Sequence, residues 1–188
     1  MGLVCYKNGS LTREDIRNTY ADKSWNEFNK AMQSTEIGNN SNIGFYFKQA
    51  EITPKATGYY RFAPKGEVDT STFKEVDHFT PQEEVRGVVE GQFLSMRLHA
   101  ANIGRVFCVL SESLYLILII MNTGMTKFSS ILATGGGSSN EHLTRVMADV
   151  FGVPVFVAST ANSASLGAAY RAFHGWLCHK KESFVTFK

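Results

Sequence analysis

Ile131-Leu132-Ala133-Thr134-Gly135-Gly136-Gly137-Ser138-Ser139-Asn140 is the stretch on which the fold turns. A short apolar run ends in consecutive glycines, and Leu143, Val146, Met147 and Val150 then recur at i, i+3, i+4 and i+7. The run is a short buried strand, the recurrence is the apolar stripe of a helix, and the glycines are the sharp turn between them. The helix is expected to begin near Ser138, which stands in capping-box relation to Glu141, and to end at Gly152. Val153-Pro154-Val155-Phe156-Val157 reads as the next strand, and Ser163 to Phe173 as a compact helix stopped by Gly175. Strand, helix, strand and helix with short links make an α/β architecture.

Upstream, Leu3-Val4-Cys5-Tyr6 reads as a strand running into an Asn8-Gly9 turn, and Thr12 to Asn18 as a short polar helix. A better helix starts at Ser24, where Glu27 completes a capping box and Trp25, Phe28, Ala31 and Met32 share one face. Gly38 to Asn42 closes that element in a turn, and Ile43 to Phe47 has strand composition. From Pro54 to Thr80 no period is visible, so loop with short strands at most is expected. Thr80-Pro81-Gln82-Glu83 is a strong helix start, carrying a capping threonine, a proline at the first helical position and a glutamate at the third. That helix continues to about Ala101, with Gly104 able to close it. Gly87 and Gly91 lie one turn apart on it; each costs about 1 kcal/mol in a helix interior, which predicts a close backbone approach.

A chain of 188 residues with 44% hydrophobic and 19% charged residues is an ordinary globular protein with enough length for a core. A net charge of +2 without a basic cluster argues against nucleic acid as a partner. Cys5, Cys108 and Cys178 form no disulfide framework, and the scattered histidines lack metal-ligand spacing, so no metal site is expected and the compartment reads as cytoplasmic. The N-terminus lacks the apolar core of a signal peptide. Leu114 to Met121 is continuously apolar, but a bilayer needs about 18 to 20 such residues, so a buried strand is expected and no membrane partner.

A glycine-rich link from strand to helix exposes backbone N–H groups at the positive end of a helix dipole and lets a flat ring or a phosphate approach the backbone. Asn140, in the first turn that follows, has both a donor and an acceptor to offer. The pattern is not GxGxxG and has no Lys-Ser or Lys-Thr, so a dinucleotide fold and a phosphate loop are both disfavoured. On these residues alone, a plain packing turn and a ligand cradle are equally good readings. Trp25 by itself reads as a core residue, sharing a face with Phe28 and Met32.

The wider pattern is more specific. Ile131 to Ser138, Ala148-Asp149-Val150-Phe151, Pro154-Val155, Thr160 to Ala164 and Gly167 to Gly175 resemble the C-terminal end of carbohydrate kinases of the FGGY family. Cys5 to Ser10, Ser24-Trp25, Gln33 to Glu36, Gly44 to Phe47, Glu51 to Pro54 and Glu90 to Phe93 fit it in the same order. Within the family the likeness is to the animal members that act on D-xylulose. The resemblance implies the C-terminal, nucleotide-binding side of an actin-like, ribonuclease H-like ATPase fold, with residues 1–188 a partial domain incomplete at its N-terminal side. It implies transfer of the γ-phosphate of ATP, with Mg2+, to D-xylulose to give xylulose 5-phosphate. Gly136, Gly137 and Asn140 match positions that contact the nucleotide, and Trp25 matches a tryptophan that lies against it. The catalytic aspartate and the sugar pocket belong to the N-terminal domain, so no catalytic residue is assigned here, and Asp69, Asp77 and Asp149 match no catalytic position. ATP or ADP is therefore the expected partner, D-xylulose only together with the missing domain, and a monomer is expected. The segment at about 107–130 and the tail 176–188 depart from the family pattern. The chain alone is accordingly expected to turn over little or nothing; a non-catalytic nucleotide-binding splice fragment, or part of another FGGY sugar kinase, is the alternative.

Overall fold

The computed structural model describes residues 2–66, 72–103, 106–111, 117–124, 127–159 and 163–186. Its main sheet carries β1 (Gly2–Tyr6), β5 (Val106–Ser111), β6 (Ile117–Gly124), β7 (Lys127–Thr134) and β8 (Val155–Val157), hydrogen-bonded in the order β1-β5-β6-β7-β8. β1 runs parallel to β5, and β7 runs parallel to β8 with Ile131 opposite Val155. β6 is antiparallel to both of its neighbours, so it alone opposes the other strands of this sheet. The apolar octet expected as a buried strand thus contributes to β6, and residues 112–116 lie outside the described residues.

Four helices accompany the sheet ahead of the last one: α1 (Ser10–Tyr20), α2 (Trp25–Gln33), α3 (Pro81–Ile103) and α4 (Glu141–Phe151). Their apolar faces share one core, in which Phe28, Met32, Val85, Phe93, Ile131, Ala133 and Met147 are all buried. β7 alternates from Ile131 to Ala133. Ile131 and Ala133 point into this core, whereas Leu132 is 38% exposed.

Two of the three capping signals hold, those at Thr80 and Ser24. Thr80 Oγ donates to Glu83 Oε2 at 2.7 Å, while the Glu83 N–H donates back to Thr80 Oγ at 3.4 Å. The Glu27 N–H donates to Ser24 Oγ at 3.3 Å. The close approach expected at Gly91 is also present: a Cβ there would stand 2.2 Å from the carbonyl oxygen of Gly44. Gly44 belongs to β2 (Ile43–Phe47), which pairs antiparallel with β3 (Gly58–Pro64), itself paired with β4 (Phe73–Glu75). This second sheet is clamped onto α3 by the buried Arg61–Glu84 pair at 2.6 Å and by Tyr46, whose hydroxyl donates to Glu84 at 2.6 Å.

Several boundaries differ from the expectation. The region after Pro54 holds two strands, which lack a period because their residues are nearly all half-buried or exposed. α4 begins at Glu141 and is capped by Asn140; Ser138 instead lies in a 3-10 turn, its Oγ donating to Gly135 O at 2.7 Å. Gly152 does end α4, with φ of 68°. The last helix, α5 (Ser163–Lys180), runs through Gly175 instead of stopping there, since a single glycine costs only about 1 kcal/mol and nothing lies within 4 Å of a Cβ built on it. The expected stop at Gly104 and the family residues Thr160-Ala161-Asn162 fall outside the described residues, as does Asp69.

Candidate nucleotide site

β7 ends at Thr134, and Gly135 turns the chain with φ of 92°, a value that favours glycine. The 3-10 turn Gly136–Ser139 then delivers the chain to α4. The turn is closed by the Ser138 N–H donating to Gly135 O at 3.1 Å. This places Gly136 and Gly137 on the wall of a cavity of about 450 Å³. Trp25 and Asn140 line the same cavity, so all four residues singled out in the sequence meet in one place. They come from α2, the glycine turn and the cap of α4, more than a hundred positions apart.

Each is held. Trp25 meets Phe28 edge-on with ring centroids 5.3 Å apart, and the Arg17 guanidinium lies 4.5 Å over its ring. At most one indole face is therefore left for a ligand ring. Asn140 is more heavily engaged than its sequence context suggests. Its Oδ1 accepts from the His142 N–H at 3.0 Å and the Leu143 N–H at 3.3 Å, and its Nδ2 donates to Asn29 Oδ1 at 3.0 Å. The free helix N-terminus expected after the glycines is thus already closed by a side chain. What remains is a glycine platform for a ring, with one Asn140 N–H to spare.

Two residues that the sequence did not flag complete the cavity. Ser10 and Arg13 enter it from the start of α1. Both are buried, at 1% and 3% exposure. Burial pulls the Arg13 guanidinium down to about 10, with nearby Glu14 pulling it the other way, so it is still charged at neutral pH. Arg13 could not be found by pattern, because it is held by distant Gln92, whose Oε1 accepts from it at 2.6 Å. Gln92 also donates to the carbonyls of Asn8 and Gly9, and Glu51 accepts from the Lys7 and Asn8 N–H groups, which fixes the loop leading into α1.

Among the described residues Glu141 is the one carboxylate lining this cavity, and it is exposed. Among the described residues no group of three or more His, Cys, Asp or Glu gathers. Asp149 is exposed on α4, as a surface charge would be. No helix of the described residues is long and apolar enough to cross a membrane.

A mixed α/β unit whose glycine turn opens beside a tryptophan invites comparison with phosphotransferases. Residues 3–176 match the FGGY family of carbohydrate kinases, C-terminal domain, and the chain belongs to that family. Its relatives include the xylulose kinase of Rattus norvegicus, 48% identical over 175 residues, which cover 93% of this chain and 28% of the rat protein. Xylulose kinase 2 of Arabidopsis thaliana is 41% identical over 190 residues, covering 98% of this chain and 31% of its own. In fold, the chain resembles the crystal structure of a ligand-bound xylulose kinase from Lactobacillus acidophilus, with a TM-score of 0.59, 21% identity, and coverage of 88% of this chain and 29% of that one. The chain therefore spans under a third of the length of these relatives.

Proposed function

We propose that this chain supplies the adenosine side of the ATP cleft of a xylulose kinase, with Trp25, Gly136, Gly137 and Asn140 as its contacts. The convergence of those four residues on one cavity carries the reading. An indole face suits an adenine ring, and stacking of this kind contributes about 1–3 kcal/mol per base. The glycine platform admits the ring on the other side because no side chain stands in its way. Phosphoryl transfer to D-xylulose, with Mg2+ holding the phosphates, then falls to the whole enzyme, because the reaction needs an in-line acceptor and a carboxylate to take the hydroxyl proton. A cytoplasmic setting and a monomeric chain go with this reading.

The polypeptide alone binds nucleotide and turns over little. Glu141, the single carboxylate at the cavity, is already placed in the first turn of α4. A pyruvate kinase–lactate dehydrogenase coupled assay with D-xylulose tests this part, and robust turnover by the 188-residue chain would sink it. Thermal shift with ADP against NAD separates the kinase reading from a dinucleotide oxidoreductase; stabilisation by NAD alone would favour the latter.

Residues 107–130 are read as an addition to the family pattern. Their hairpin, β5 with β6, stands between β1 and β7, and so supplies the pairing that links β1 to the rest of the sheet. The tail 176–188 is read in the same way as a departure. Sequencing the transcript across codons 100–135 tests the addition, and a transcript lacking it would remove this reading.

A further inference from the structure

Gln92, which holds Arg13 at the candidate nucleotide site, also lines a second cavity, of about 400 Å³, that the kinase reading does not use. Proteins hold small organic molecules in cavities of about 300–1,000 Å³. This one opens between β2 and α3. Gly44 and Gly91, where those elements touch, both line it, and Ile43, Phe47, Val88 and Met96 give it apolar walls. Phe45, Leu94 and Leu98 line it too and are 40%, 43% and 61% exposed, so its mouth is apolar as well.

The polar groups of the lining converge. The Tyr6 hydroxyl meets His99 Nδ1 at 2.5 Å, Ser95 hydrogen-bonds to the same hydroxyl, and Ser95 and His99 stand one turn apart on α3. Burial pushes the Tyr6 phenol well above its ordinary value, against the Ser95 hydrogen bond, so it meets a ligand as a neutral hydroxyl. Among the described residues the lining holds one carboxylate, Glu51, and no lysine or arginine. Glu51 is 5% exposed and accepts from the N–H groups of Lys7, Asn8 and Ile52, which fix it in place. A second anion entering this apolar space would meet like charge with no lining cation to offset it. That disfavours nucleotides and sugar phosphates as occupants.

We propose that this cavity binds a neutral, largely apolar small molecule, with a ring body between β2 and α3 and one hydrogen-bonding group against Tyr6, Ser95 and His99. The site stands apart from the nucleotide reading, since it includes neither Trp25 nor the glycine turn.

Fluorescence titration of the 188-residue chain with N-phenylnaphthylamine, a neutral probe with one N–H, tests it. Anilinonaphthalenesulfonate, the same skeleton with an anionic group, is the comparison. Wild type is expected to bind the neutral probe saturably, and at least about tenfold more tightly than the anionic one. Ser95→Phe, which fills the polar end, should weaken the neutral probe at least about tenfold. Leu98→Glu, at the exposed mouth, should weaken it severalfold, and Trp25→Ala should leave it unchanged. Thermal melts identify a variant that fails to fold. Should Ser95→Phe fail, Leu98→Glu decides, because surface substitutions seldom unfold a protein. Absence of saturable binding overturns the site, as does unaltered affinity in the folded cavity variants. A loss on Trp25→Ala, or on Phe173→Ser of the exposed α5 face, would place the probe elsewhere and also overturn it. Equal affinity for the two probes overturns the assignment of a neutral ligand.

Discussion

Two helix N-termini face the same cavity and are finished in opposite ways. α4 is closed: Asn140 caps it through two N–H groups, and Glu141 sits in its first turn. α1 is open, with a glycine at its cap position, an unpaired buried hydroxyl and a buried guanidinium that forms no ion pair among the described residues. A capped terminus has spent its donors on the fold, whereas an uncapped one keeps them for something else. The difference gives one cavity two unlike ends, a capped one beside α4 and an uncapped one beside α1.

The comparison is broken most forcefully by changing the packing that both termini share. Gly91→Ala drives a methyl group towards the Gly44 carbonyl, and Gln92 beside it holds the loop into α1. Gly to Ala in a helix would by itself gain about 1 kcal/mol. The clash outweighs that gain, and urea unfolding should show a net loss of about 1–3 kcal/mol. Ser10→Asp sharpens the contrast instead of breaking it. A carboxylate in the first turn of α1 would pair with Arg13 and satisfy the dipole, so thermal stability should hold or rise while ADP affinity falls at least about tenfold. If affinity held, the open end would have no role.

At the closed end, Asn140→Ala removes the cap of α4 and should lower unfolding stability by about 0.5–2 kcal/mol. The smallest effect lies at a third helix start, remote from ligand chemistry. Burial acts to raise the Glu83 carboxyl, but hydrogen bonds from Thr80, Asn40 and Asn42 outweigh it and hold the group below its ordinary value. A lowered carboxylate contributes stability that is present above the unfolded value, about 4.3, and is lost as pH falls through the folded one. Wild type should therefore lose stability on acidification through that window, and Glu83→Gln should flatten the dependence in acid melts.

Much of the fold was legible because its signals are local. The boxes Thr80/Glu83 and Ser24/Glu27, the stripe from Leu143 to Val150 and the glycine turn each need only a few neighbouring residues to be read. Gly91 was legible in kind, as a close approach, though not in its partner Gly44. β3 and β4 were allowed for but not placed because half-exposed strands carry no alternation, and the run of α5 through Gly175 was missed because glycine lowers helix stability without forbidding it. The four expected contacts came from family resemblance, since nothing local relates Trp25 to Asn140. Ser10 and Arg13 escaped as cavity residues: the partner of Arg13, Gln92, lies 79 positions beyond it, and only tertiary structure brings it there.

The central claim is that Trp25 and Asn140 bound an adenine-nucleotide site. Its most direct test is calorimetric titration of the chain with ADP, repeated on Trp25→Ala and Asn140→Ala. The account predicts saturable binding by the wild type and affinity weakened roughly tenfold or more by loss of the indole, with a smaller loss for the amide. Equal heats for all three proteins would contradict it.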